Sequence, residues 1–231
     1  MRLLAIDTST EACSAALLLG EESRLRFEMT ERSHAELILP MVDALLAEAG
    51  LALGDLDGLA FGRGPGAFTG LRIAAGVIQG LALGSGLPVV GVSSLAAVAE
   101  QVPAGAGEQV LVCNDARMKE IYWGLYRPTA DHGIDCLGEE HVSAPSALDF
   151  DPAGVRHVAG NAIDRYEGLR RRLEAASLRI HDSLFPRADA VARLARIEFR
   201  AGRGGGPAAA LPSYVRDNVA RASPAPVTKM K

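Results

Sequence analysis

The spacing of apolar residues switches repeatedly between two and about four in the first hundred positions, and each switch marks an element boundary. Residues 3–7, 12–19 and 24–29 read as three strands joined by short turns. The third alternates, with Leu25, Phe27 and Met29 on one face and Arg24, Arg26 and Glu28 on the other. A helix over 33–50, a strand over 58–62, a helix over 71–84, a strand over 89–92 and a helix over 94–101 complete the order βββαβαβα. Small residues at 103–107 punctuate the chain. The programme then restarts with strands at 110–115 and 120–126, a third near 135–142, and helices at 162–175 and 188–201. A weak repeat of this kind points to a duplicated α/β fold whose second copy is shorter. The expected division is 1–105 for the first lobe, 106–220 for the second and 221–231 for a disordered tail.

The two long helices of the first half carry too little polarity to face water. Between Leu71 and Leu83 only Arg72 and Gln79 are strongly polar, and Gly76, Gly80 and Gly84 recur along one flank. Each helical glycine costs roughly 1 kcal/mol against alanine, so their repetition suggests close packing. In the helix over 33–50, Leu37, Ile38, Met41, Ala44 and Leu45 form one face, while Leu39, Val42, Leu46 and Ala47 spread apolar character around the rest. Pro40 is expected to kink or split it. Two such helices exceed what one sheet face covers, so a protein–protein surface is expected. Its candidate residues are Leu37, Ile38, Met41, Leu45, Arg72, Gly76, Gly80 and Leu83. The stretch after Leu71 is shorter than the about 20 residues a membrane span needs, so no membrane is expected.

Between these helices lies G-R-G-P-G-A-F-T-G, Gly62 to Gly70. Glycine turns that open helices can cradle phosphate. The P-loop requirement for lysine and a hydroxyl after the last glycine is unmet, because Leu71 and Arg72 stand there, and Phe68 replaces the third glycine of a dinucleotide fingerprint. A tight turn stiffened by Pro65 is the preferred alternative.

Composition places the chain among ordinary soluble globular proteins: 231 residues, 48% hydrophobic and 23% charged. Asp7 interrupts the first apolar run, so no signal peptide is expected. Three cysteines without C-x-x-C spacing suit a reducing cytoplasm. Ser33 and Glu36 form the S-x-x-E pattern of a capping box beside His34, and His132, His141, His157 and His181 have no metal spacing, so no metal is expected. Residues 1–160 hold 10 basic and 21 acidic groups, whereas 161–231 hold 14 and 7. An arginine-rich end can meet nucleic acid, although solvated helix faces plus a loose tail are the preferred account. No aromatic residues interleave to stack bases.

Several segments together resemble one family. L-L-A-I-D-T-S-T, S-H-A-E-L-I-L-P, G-R-G-P-G-A-F-T-G-L-R-I, D-A-R-M-K-E-I-Y-W and L-P-S-Y-V-R are similar, in this order, to the TsaB (YeaZ) family of bacterial tRNA threonylcarbamoyladenosine biosynthesis. The resemblance is densest over residues 1–126. It implies a two-lobed actin-like, Hsp70-like ATPase fold and a non-catalytic partner subunit that supports the TsaD threonylcarbamoyltransferase, together with the ATPase TsaE. It also implies self-pairing as a homodimer when alone and tRNA contact only within the complex. Active relatives of this fold grip a nucleotide with glycine-containing aspartate turns. Here Asp7-Thr8-Ser9 and Asp115-Ala116-Arg117 lack the glycine, so Asp7 and Asp115 are expected to be turn and strand-end residues, with a vestigial cleft site as the alternative, and no cofactor is expected. The rival reading is an independent actin-fold ATPase or peptidase.

Overall fold

The computed structural model describes residues 1–30 and 32–215; the tail expected at 221–231 lies outside them. The first sheet is built from β1 (Arg2–Asp7), β2 (Ala12–Leu19), β3 (Glu22–Met29), β4 (Gly58–Gly64) and β5 (Val89–Ser93), in the order β3-β2-β1-β4-β5. β3, β2 and β1 run antiparallel, and β1, β4 and β5 run parallel. The second sheet contains β6 (Gln109–Asp115), β7 (Ile121–Pro128), β8 (Ile134–Cys136), β9 (His141–Ser143), β10 (Val155–Gly160) and β11 (Arg179–Asp182). Its order, β11-β10-β6-β7-β8 with β9 also on β7, repeats the first sheet strand for strand. Duplication is therefore visible in the topology, and the chain has the two-lobed actin-like α/β architecture.

Successive side chains alternate between the two faces of each sheet, as on any pleat, and both faces are covered, so the central strands are buried almost throughout. In the first sheet Leu4, Ile6, Leu17, Leu59 and Phe61 face helices α1 (His34–Ala49) and α2 (Phe68–Ser85), which bury Ile38, Val42, Leu45, Ala74, Ile78 and Ala82 against them. The opposite face, with Leu3, Ala5, Leu18, Ala60 and Val92, is covered by α6 (Ala188–Arg200) through Ala188, Val191, Leu194 and Ala195. In the second sheet α4 (Ala162–Arg165) and α5 (Glu167–Ala175) cover Leu111, Cys113, Trp123 and Val158. Helix α3 (Ser94–Ala99) sets Leu95, Val98 and Ala99 against Val110, Val112 and Tyr126 on the other face. Each lobe thus closes on a helix from the other half of the chain. A cut at residue 106 fails for this reason, because α6 belongs to the core of the first lobe.

Several local expectations need correction. Pro40 lies inside α1 without splitting it. Ser33 forms no side-chain cap: its backbone sits near the helical region (φ −98°, ψ 16°), not in the extended conformation that aims a cap oxygen at the first turn. The expected helix over 162–175 breaks at Tyr166, whose extended backbone separates α4 from α5. The third strand of the second copy is two short strands, β8 and β9, around Gly138. Strands β10 and β11 were not anticipated.

Candidate functional site

Two regions bear on function: the cleft between the lobes, and the outer face of α1 and α2. The cleft forms where β1, β4 and β6 end. Asp7 closes β1 and is fully buried. Its Oδ1 accepts from the Ser9 amide at 2.8 Å and the Ser9 hydroxyl at 2.7 Å, and its Oδ2 accepts from the Ser94 hydroxyl at 3.3 Å. Burial pushes the Asp7 carboxyl above its ordinary range, against the pull of the two serines.

The glycine loop is built around this turn. A Cβ on Gly62 would strike the Asp7 carboxylate, one on Gly66 the Ser9 carbonyl, and one on Gly70 the Thr8 carbonyl. Thr8 fastens the contact by donating its hydroxyl to the Gly70 carbonyl at 2.7 Å. These glycines admit close backbone approach, which agrees with a structural turn.

Asp115 ends β6 with its side chain 2% exposed. Its carboxylate accepts from Arg165, from the Tyr166 hydroxyl at 2.8 Å and from the Arg117 amide at 3.2 Å. The break at Tyr166 is what brings that hydroxyl to Asp115. The following turn holds Arg117, Met118 and Lys119 in the left-handed region (φ 59°, 52° and 63°), a strained arrangement for three side-chain-bearing residues.

Between the two aspartate turns lies a cleft of about 460 Å³ lined by Ser9, Thr10, His34, Phe68, Arg117 and Tyr214, among others. Asp115 borders this space, whereas Asp7 lies behind Thr8 and Ser9. His34 is buried, and its Nε2–H donates to the Thr10 carbonyl at 2.8 Å. At the mouth, the Arg72 guanidinium sits 3.4 Å over the Phe68 ring, and Phe68 lies 5.6 Å from Tyr214. One carboxylate is walled in and the other is engaged by Arg165, Tyr166 and the Arg117 amide.

The second region divides the residues expected at a partner surface. Ile38 and Leu45 point into the core, at 0% and 1% exposure, and cannot touch a partner. Leu37 and Met41 are half-buried, packed along the core edge. Arg72, Gly76, Gly80 and Leu83 all lie on the open flank of α2, with Leu83 75% exposed. A Cβ on Gly76, Gly80 or Gly84 would meet nothing within 4 Å. On α1, Leu39 is also exposed, at 44%. Phe68 and Tyr214 were missed. The signal for Phe68 was its place one turn before Arg72, hidden because α2 starts three residues earlier than its apolar pattern.

The arginine-rich half is largely self-neutralised. Arg165, Arg170, Arg171, Arg187, Arg193, Arg196 and Arg203 each pair with a carboxylate of this chain. Among the described residues after 160, seven of the ten arginines are thus engaged within the fold.

Comparison with known proteins agrees with this geometry. The family model described as "TsaD: tRNA N6-adenosine threonylcarbamoyltransferase" matches residues 28–185. The tRNA threonylcarbamoyladenosine biosynthesis protein TsaB of Escherichia coli is 38% identical over 226 residues, covering 95% of this chain and 96% of that protein. A Pseudomonas aeruginosa protein described as similar to peptidase YeaZ superposes with a TM-score of 0.82 at 42% identity, covering 93% of this chain and 99% of that one. A second structure, YeaZ from Pseudomonas aeruginosa, gives a TM-score of 0.80 at 40% identity, with 92% and 99% covered. With a shared fold, near-complete coverage and identities of this size, the chain belongs to the TsaB (YeaZ) family.

Proposed function

We propose that this chain takes part in tRNA threonylcarbamoyladenosine synthesis as a non-catalytic support, docking a TsaD-like threonylcarbamoyltransferase on the open flank of α1 and α2. The observation that carries the reading is the uncovered stripe of Gly76, Gly80, Leu83 and Gly84, with Leu39 exposed on α1. Glycines without neighbours let another helix approach closely, and exposed leucines lose water when it does. The match of this chain to a TsaD family model supports a partner of the same fold, which would present an equivalent helix pair. In the partner's absence a second copy of this chain takes its place. A TsaE-like ATPase joins the pair, and tRNA is met only in the assembled complex, consistent with arginines already engaged internally.

The state of the cleft supports a non-catalytic role over an independent ATPase or peptidase. A phosphate would meet Asp115, already held by Arg165 and Tyr166, and neither aspartate turn carries a glycine to wrap it. Co-purification with a TsaD-like partner tests the surface. Gly80→Arg should remove the partner while the chain stays folded, and normal pairing by that variant would overturn this docking face. Calorimetry with ATP and magnesium tests the rival, which binding with turnover by the isolated chain would restore.

A further inference from the structure

The open flank of α2 does not end with its glycines. Phe68, Arg72, Gly76 and Gly80 follow one another at intervals of one turn along that flank, so a partner lying over Gly76 and Gly80 also reaches Arg72. A second segment borders the flank. Residues 207–215 run antiparallel beside α2 and are fastened at two points. The Gln79 side-chain amide donates to the Ala210 carbonyl at 3.0 Å, and the Ser213 amide donates to the Arg63 carbonyl at 2.7 Å. This strap brings Leu211 and Tyr214, 63% and 43% exposed, alongside the helix.

Arg72 is held in direction without being neutralised. Its guanidinium lies 3.4 Å over the Phe68 ring centre and 5.8 Å from that of Tyr214, and the two rings are 5.6 Å apart. Stacking occupies the face of the guanidinium and leaves the N–H groups along its edge open to a two-oxygen acceptor. No carboxylate pairs with Arg72 among the described residues, in contrast to Arg165 and Arg193. A cation already fixed against two rings loses little side-chain freedom on binding. Arginine and aromatic side chains are the usual energetic anchors of a protein contact, and Leu211 beside them supplies apolar area to dehydrate. The planar fork matches a carboxylate, the anionic acceptor that an unmodified protein surface supplies.

We propose that Arg72, oriented by Phe68 and Tyr214, is the polar anchor of the docking face and takes an acidic side chain of the TsaD-like partner, with Leu211 as its apolar neighbour. This inference rests on the docking reading above and adds the chemistry of the contact. The glycines set how closely the partner's helix approaches, and Arg72 selects a partner that places a carboxylate one to two turns from that closest approach.

Titration of the full chain with a TsaD-like partner at several salt concentrations tests this. Arg72→Gln should weaken binding about tenfold or more and flatten its salt dependence. Arg72→Lys keeps the charge without the planar fork and should recover only part of the affinity. Phe68→Leu keeps the charge but loosens its direction, so it should bind less tightly with the salt dependence of the wild type. Both positions are exposed, and unchanged thermal unfolding of the three variants separates a lost contact from a lost fold. Two failures read differently. Wild-type binding by Arg72→Gln, with Gly80→Arg unable to bind, overturns the anchor and leaves the docking face standing; wild-type binding by both overturns the face itself. Weakened binding by Arg72→Gln with an unaltered salt dependence also overturns the anchor.

Discussion

Replacing Leu45 with alanine and Leu83 with aspartate should separate the core from the docking face, because the two leucines sit on neighbouring helices with opposite surroundings. Leu45 is 1% exposed and packs in the cluster that includes Leu4, Ile38, Val42 and Ile78. Its truncation removes three carbons, about 2.4 kcal/mol at about 0.8 kcal/mol per methylene. The unfilled space adds to this and brings the cost to about 2–5 kcal/mol. Leu83, 75% exposed, makes almost no internal contact, so an aspartate there should change stability by no more than about 0.5 kcal/mol. If Leu83 anchors the partner, its loss should cost about 2 kcal/mol of binding, roughly a thirtyfold fall in affinity. Urea unfolding followed by far-ultraviolet circular dichroism and by Trp123 fluorescence measures the first quantity. Trp123 is the sole tryptophan and lies in the second lobe, so coincident transitions also show that both lobes unfold together. Titration with a TsaD-like partner measures the second. A Leu45→Ala cost below about 1 kcal/mol, or a Leu83→Asp cost equal to it, would refute the assignment of faces.

Three further outcomes follow from described contacts. Asp7→Asn keeps the side-chain shape and removes a buried charge whose carboxyl is raised by burial, so chemical denaturation at neutral pH should show unchanged or greater stability. The wild-type advantage from Asp7, by the same sign, is present at low pH and declines as pH rises through its raised value, so the variant should gain most at high pH. Gly66→Ala drives a methyl group into the Ser9 carbonyl, and thermal unfolding should show a clear loss, whereas Gly76→Ala, with open space around it, should be neutral or stabilising. Arg193→Met leaves Glu100 and Asp189 without their shared cation and should cost roughly 1–3 kcal/mol in urea, with Lys at the same position recovering part of it.

The sequence made the first lobe legible because its elements are long and their periods distinct: β2 and α2 fall within three residues of expectation. The second lobe was harder for physical reasons. β10 reads V-R-H-V-A-G, in which a buried histidine breaks the apolar pattern because Glu108, just before β6, and His181 on β11 satisfy it. β11 is four residues long with a single strongly apolar side chain, so its strand character comes from pairing with β10. The packing of α1 and α2 was half legible. Composition reveals that α1 and α2 are too apolar to be solvated. Which side faces the sheet depends on how the helices roll over Leu4, Ile6 and Phe61, which is why Ile38 and Leu45 turned out to be core. The missing glycines of the two aspartate turns were legible, while the Arg165 and Tyr166 partners of Asp115, fifty residues away, carry no local signal.

The placement of α6 has a consequence for synthesis. During translation the strands of the first sheet emerge with one face dressed by α1 and α2, and the other, including Leu3, Ala5, Leu18 and Val92, stays bare. It remains so until residues 188–200 leave the ribosome, nearly at the end of the chain. A nascent chain stalled or cleaved before that point carries a sticky half-sandwich, a natural substrate for chaperones and proteases, so quality control of this protein is weighted toward α6.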